Sequence, residues 1–132
     1  MEAQPPYLFV YGTLMRGFDN PFAARLRAHS AFIAEGFFSG KLYRISWYPG
    51  ALYEPKGTLK VHGEIYQLLD FQKLIRELDE YEDVKEIESE SLYLRRQVPV
   101  QTESGDVFLC WTYLYNQSLA EATPLPDGRF TV

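Results

Sequence analysis

An apolar run near the start of the chain ends abruptly at a glycine: Leu8-Phe9-Val10-Tyr11-Gly12-Thr13-Leu14-Met15-Arg16-Gly17. Four apolar or aromatic residues in a row, with Tyr7 ahead of them, read as a buried strand. Gly12 punctuates it, because glycine permits a close backbone approach or a positive φ. As the strand ends, the amides of Gly12, Thr13 and Leu14 leave the ladder, and successive free amides in a turn form a nest for a carboxylate or oxyanion. On local chemistry alone the plainer reading is a core strand that runs into a turn.

The rest of the chain reads as strands with few helices. Asn20 before Pro21 is an N-cap with proline at the first helical position, and it opens a short helix ending near His29 with Phe22, Ala23 and Leu26 toward the core. Ala31–Phe38 reads as a strand with Gly36 as a bulge, broken at Gly40 and resumed at Leu42–Ile45. Trp47–Tyr53 reads as an aromatic loop turning at Pro49-Gly50. The segment from Thr58 to Leu69 is a strand whose alternation slips after Gly63, a sign of a bulge or a close approach. Asp70 caps a helix from Phe71 to about Glu82. Tyr93–Val100 and Val107–Tyr115 form a hairpin around Glu103-Ser104-Gly105-Asp106, and a third strand-like segment lies around Phe130. The pattern is that of an α+β fold with a curved, largely antiparallel sheet. At 132 residues, one domain spanning 1–132 is expected, with residues from about 117 to 132 a surface tail.

Composition removes several classes of function. Hydrophobic residues make up 46% of the chain, which excludes a disordered polymer, and no run approaches the roughly 18 apolar residues of a membrane span. The opening Met1-Glu2-Ala3-Gln4-Pro5-Pro6 lacks the apolar centre of a signal peptide. A formal charge of −5 argues against nucleic acid or an anionic membrane as partner. The single cysteine, Cys110, sits within Phe108-Leu109-Cys110-Trp111 and reads as a packed thiol of a protein kept in a reducing cytoplasm. His29 and His62 have no ligand-like spacing with cysteine or a carboxylate pair, so no metal site is expected.

One carboxylate faces the wrong way. At 100° per residue, Phe71, Leu74, Ile75, Leu78 and Tyr81 form the apolar stripe of the second helix. Glu82 falls about 20° from Phe71, where a leucine belongs. Glu77 and Glu80 point away, and Asp79 lies on the flank, placed to cap or pair locally. A buried glutamate is costly unless hydrogen-bonded, and desolvation moves its pKa toward the range useful for proton transfer. Two plainer outcomes compete: the helix ends early and leaves Glu82 in water, or an arginine such as Arg95 or Arg96 neutralises it.

Six blocks, in order, resemble the γ-glutamylcyclotransferase-like family, in particular its γ-glutamylamine cyclotransferase or AIG2-like branch. Tyr11-Gly12-Thr13-Leu14, followed by Arg16-Gly17, is similar to its Tyr-Gly-Ser/Thr-Leu signature. Tyr48-Pro49-Gly50 resembles a proline loop common in these proteins, and Val61-His62-Gly63-Glu64-Ile65-Tyr66 resembles a strand of the form Val-x-Gly-Glu-x-Tyr. Leu78-Asp79-Glu80-Tyr81-Glu82 resembles a Leu-Asp-x-x-Glu motif. Tyr93-Leu94-Arg95 and Thr112-Tyr113-Leu114-Tyr115-Asn116 resemble the closing strands. Asp83 to Ser91 departs from the pattern: family members often carry a glycine soon after the glutamate, and here the segment is longer and acidic.

The resemblance implies the γ-glutamylcyclotransferase-like fold, a curved sheet or small barrel with a few short helices around a cavity. It implies attack of a γ-glutamyl compound's own α-amine on its γ-carbonyl, releasing 5-oxoproline and an amine. Glu82 would be the general acid/base. Tyr11, Gly12, Thr13 and Leu14 would bind the γ-glutamyl group, with Tyr48, Pro49, Gly50, Tyr93 and Tyr115 as further substrate contacts. No enzyme nucleophile, metal or cofactor is implied, and the partner is a small molecule. The competing readings are a non-catalytic metabolite-binding module of the same fold, and another amide or amine-transfer reaction on the same glutamate.

Overall fold

The computed structural model describes residues 7–131, so the opening hexapeptide, expected above not to be a signal peptide, and Val132 lie outside the described residues. In chain order the elements are β1 (Tyr7–Val10), α1 (Pro21–Ala28), β2 (Ser30–Arg44), β3 (Pro49–Tyr53), β4 (Lys60–Leu68), α2 (Phe71–Tyr81), β5 (Tyr93–Thr102), β6 (Val107–Tyr115) and β7 (Thr123–Pro124), with one 3-10 turn at Glu88–Glu90. The hydrogen-bonded path β2-β4-β1-β6-β5 closes on itself where Gly36 and Phe37 of β2 pair with Thr102 and Gln101 of β5, giving a five-stranded barrel. Strands β3 and β7 add to the far half of β2. All pairings are antiparallel except β1 beside β6, where Leu8 lies opposite Trp111. Among the described residues no helix is long and apolar enough to cross a membrane.

Strand β1 is apolar throughout because it has no face toward water. Alternate side chains of a strand point to opposite sides. Phe9 and Tyr11 join Val61, Ile65, Val98, Val100 and Cys110 in one core cluster, to which each barrel strand contributes. Leu8 and Val10 join Leu26 of α1 and Leu74, Ile75 and Leu78 of α2 in the second, which seats both helices against the barrel. Cys110 is fully buried, and that burial pushes its thiol pKa up to about 12, as befits a packing side chain.

Four expectations are corrected. Strand β2 does not break at Gly40; it runs on and exchanges its partner, β4 up to Ser39 and β3 from Gly40 onward. The bulge is not at Gly36 or Gly63 but at Ile33, where the register with β4 shifts between Phe32 and Ala34. Gly36 and Gly63 instead face each other, and a Cβ on Gly63 would lie 2.2 Å from the carbonyl oxygen of Val10, so close approach is what requires glycine there. Pro49-Gly50 is not the turn. The chain reverses at Ile45–Tyr48, and Pro49 starts β3, the strand position where a missing N–H costs least.

The fourth correction concerns the tail. The amide of Leu125 donates to the carbonyl of Leu42 (2.8 Å), and that of His62 to the carbonyl of Gly128 (2.8 Å). Phe130 is 3% exposed and stacks on Phe18 within the barrel cluster. The last strand therefore forms at Thr123–Pro124, and Phe130 is a core plug rather than part of a surface tail.

Candidate active site

The end of α2 decides where Glu82 points. Its amide still donates to the carbonyl of Leu78 (2.8 Å), so Glu82 keeps its helical azimuth although the helix proper ends at Tyr81. Asp83 then takes a left-handed φ of 56°, with its amide on Glu80 (3.2 Å) and the Val84 amide on Asp79 (2.9 Å). This pair of bonds is a Schellman cap, with an aspartate where glycine is usual.

Neither plainer outcome for Glu82 is realised. Arg95 grips Asp79 through two bonds (2.8 and 3.2 Å), and Arg96 reaches Glu88 (2.7 Å). No donor among the described residues bonds the Glu82 carboxyl. Glu82 is half-buried as a residue, its carboxyl shares a cavity with Tyr11, Tyr81, Tyr93 and Tyr113, and withdrawal from water pushes its pKa up to about 8.

The surrounding hydroxyls explain why nothing offsets that rise. Tyr11 donates to the carbonyl of Tyr113 and accepts from the Ala51 amide (3.2 Å). Tyr93 donates to the carbonyl of Pro49, and Tyr113 to Asp79 (2.7 Å). The hydroxyl of Tyr81 meets that of Thr13 at 2.7 Å. Each of these four phenols is tied to the frame, so Glu82 is left as an unpartnered carboxyl in a largely aromatic pocket. Burial raises the pKa of all four phenols, and the nearby Glu82 charge raises them further.

The opposite wall is the turn after β1. Its first bond runs from the Met15 amide to the carbonyl of Gly12 (3.0 Å), while the amides of Gly12, Thr13 and Leu14 meet no protein acceptor among the described residues. Gly12 does not adopt a positive φ; it is needed because a Cβ there would lie 2.7 Å from the Pro49 ring. Asn20 accepts from the Ala23 amide (2.8 Å) as the α1 cap, and its Nδ2 donates to the carbonyl of Thr13 (2.7 Å). One residue therefore starts a helix and holds the turn.

Between turn and helix end lies a cavity of about 90 Å³. Of the residues singled out from sequence, Glu82, Tyr11, Gly12, Thr13, Leu14, Tyr48, Pro49 and Tyr93 line it, and Gly50 and Tyr115 do not. Those two stand behind the wall: a Cβ on Gly50 would be 2.6 Å from the Tyr115 ring, which packs edge-on against Tyr93 at 5.5 Å. Among the described residues no three His, Cys, Asp or Glu side chains are arranged to hold a metal ion.

The family described as gamma-glutamyl cyclotransferase, AIG2-like matches residues 8–132. The chain belongs to this family. A gamma-L-glutamyl-butirosin B gamma-glutamyl cyclotransferase from Niallia circulans is 36% identical over 126 residues, covering 94% of this chain and 76% of that relative. An AIG2-like protein from Mus musculus superposes with a TM-score of 0.70 at 31% identity, over 90% of this chain and 82% of that one. YkqA from Bacillus subtilis gives the same TM-score at 25% identity, over 96% of this chain but 40% of its own. The match to the AIG2-like cyclotransferases runs through the tail, beyond the Asn116 at which the sequence blocks stop.

For this AIG2-like chain, sequence reasoning passed over Tyr81, Tyr113, Trp47 and Leu92 in the cavity wall. Two had a usable signal. Tyr81 lies inside the Leu78–Glu82 block beside the carboxylate, and Tyr113 shares the strand face of Tyr115 two residues earlier. Trp47 and Leu92 had none beyond adjacency to Tyr48 and Tyr93.

Proposed function

We propose that the protein is a γ-glutamyl cyclotransferase in which Glu82 is the general acid/base. The observation that carries the reading is the unpartnered carboxyl of Glu82, with its pKa near 8, facing a turn with three free amides across a small cavity. A γ-glutamyl compound folded into that space brings its α-ammonium to the carboxylate. Glu82 takes a proton, and the freed amine forms a bond to the γ-carbonyl carbon. The amides of Gly12, Thr13 and Leu14 receive the charge that develops on the oxygen. The C–N bond to the leaving group then breaks as Glu82 returns the proton to the departing nitrogen, and the attacking nitrogen's second proton passes through the freed carboxylate to that amine, which yields neutral 5-oxoproline and an ammonium. Family membership and the name of the Niallia circulans relative support the same reaction class.

Charge in the cavity suggests which leaving groups suit it. Among the described residues, Glu82 is the one formally charged side chain in the lining, and no lysine or arginine accompanies it. With Glu82 in its reactive carboxylate form, a leaving group with its own carboxylate would enter a site of like charge. At several ångströms and intermediate dielectric this costs about 1–2 kcal/mol. We therefore expect γ-glutamyl amines to surpass γ-glutamyl amino acids by roughly tenfold in kcat/KM. Incubation with a matched panel, read by mass spectrometry for 5-oxoproline, tests both reaction and preference. Free glutamate as product would replace cyclisation by hydrolysis, and binding without turnover would make the chain a metabolite-binding module.

A further inference from the structure

The proposed chemistry uses two parts from unrelated stretches of chain, the turn after β1 and the end of α2. Something must fix the distance between them. Among the described residues, one hydrogen bond joins them directly: Thr13 Oγ1 to the Tyr81 hydroxyl, 2.7 Å apart across 68 residues of sequence. We infer that Thr13 and Tyr81 form a clasp that positions the amide turn against Glu82, making Tyr81 a positioning residue for the reaction.

Both halves of the clasp are braced from behind. The carbonyl of Thr13 accepts from Asn20 Nδ2 (2.7 Å), so its hydroxyl and carbonyl are held from different sides. The Tyr81 ring lies 4.3 Å, centroid to centroid, from that of Phe22, two residues after Asn20 on α1. The two helices are joined again by Arg25 Nε on Glu77 (2.6 Å). Turn, α1 and α2 thus form a closed triangle with the clasp as the side nearest the cavity. Tyr81 is also the immediate neighbour of Glu82, at the start of the Schellman cap that aims the carboxyl. Burial holds the Tyr81 phenol in its neutral form, which keeps the bond available across the working pH range. A misplacement of about 1 Å at a reacting centre can cost about 10²-fold, so a clasp that limits drift to a fraction of that is worth about tenfold.

The inference rests on the proposed reaction, and the test separates the two. The variants are Tyr81→Phe, which keeps the ring on Phe22, Thr13→Val, their double variant, Thr13→Ser and Glu82→Gln. Turnover is read with γ-glutamyl-butylamide, and backbone order of the turn by nitrogen-15 relaxation on the full chain. Tyr81→Phe is expected to lose about tenfold in kcat with KM changed less than about threefold, and Thr13→Ser, which keeps the hydroxyl, is expected to turn over faster than Thr13→Val. The double variant is expected to be no slower than Thr13→Val, because the second substitution removes a bond already gone. Order parameters of Gly12–Leu14 should fall from about 0.85 toward about 0.6 in Tyr81→Phe. A Tyr81→Phe kcat within twofold of wild type, unmoved order parameters, or additive losses in the double variant overturns the clasp. Full turnover by Glu82→Gln, or none by the wild type on this probe and the panel, overturns the proposed reaction instead. The order parameters then decide on their own whether the bond holds the turn.

Discussion

Glu82→Gln is expected to retain its fold and lose at least about 10²-fold in kcat on any γ-glutamyl compound that the wild type cyclises. Glutamine is isosteric, and the carboxyl it replaces accepts no hydrogen bond from the described residues, so no frame contact is lost. What disappears is the proton acceptor. The pH profile sharpens the test. With Glu82 raised to about 8, close to the range of an α-ammonium, the two groups exchange a proton with little driving force either way. Well below pH 8 both are protonated, and the rate falls because no base remains. Well above it both are deprotonated, and the rate falls because no acid remains for the leaving amine. The wild-type kcat/KM should therefore be bell-shaped, with two apparent pKa values that belong to the pair. In Glu82→Gln the residual rate should rise with deprotonation of the amine and then level off. A variant with the wild-type rate and bell removes Glu82 from the mechanism.

How much of this could be read from sequence depends on the range of the interaction. The azimuth of Glu82 was legible because a helix of known periodicity carries its own reference stripe, Leu74, Ile75 and Leu78, all buried in the fold. The caps at Asn20 and Asp70 were legible because a cap bonds an amide three residues away. Partner choice was not. Arg95 lies on the strand after the helix and has Asp79 and Glu82 to choose from, and one helical turn decides between them. The β5–β6 register places Arg95 opposite Tyr113, whose hydroxyl already meets Asp79, so the arginine joins that carboxylate. Pro49-Gly50 misled for a related reason. Its local chemistry is that of a turn, but the rings of Tyr115 and Pro49 pack against Gly50 and Gly12, and pairing with β2 extends the segment into a strand. Phe130 was hidden by its setting, since a lone aromatic among prolines carries no period.

The same glutamate should weaken the fold it serves, and replacing it should strengthen the protein at alkaline pH. The unfolded chain releases the Glu82 proton near pH 4.5, the ordinary carboxylate value, and the folded chain near 8. Between those values the native state holds a proton that the unfolded state has lost. By linkage, stability therefore falls as pH rises through this window. The contribution of this group is full below about 4.5 and lost above about 8. A tenfold difference in proton affinity between the two states corresponds to about 1.4 kcal/mol; discounted for the part of Glu82 that water reaches, the loss is roughly 2–3 kcal/mol. Glutamine has no proton to lose. Glu82→Gln should melt with the wild type at pH 5 and several degrees above it at pH 8.5, other titrations cancelling in the difference. Thermal scans of both proteins from pH 5 to 9 measure it. Equal melting throughout would mean that the Glu82 carboxylate is well solvated or paired, and the match between its pKa and that of an α-ammonium would go with it. A gain that grows as pH rises from about 4.5 and levels off above about 8 would identify the carboxyl as a group unfavourable to folding and set aside for chemistry.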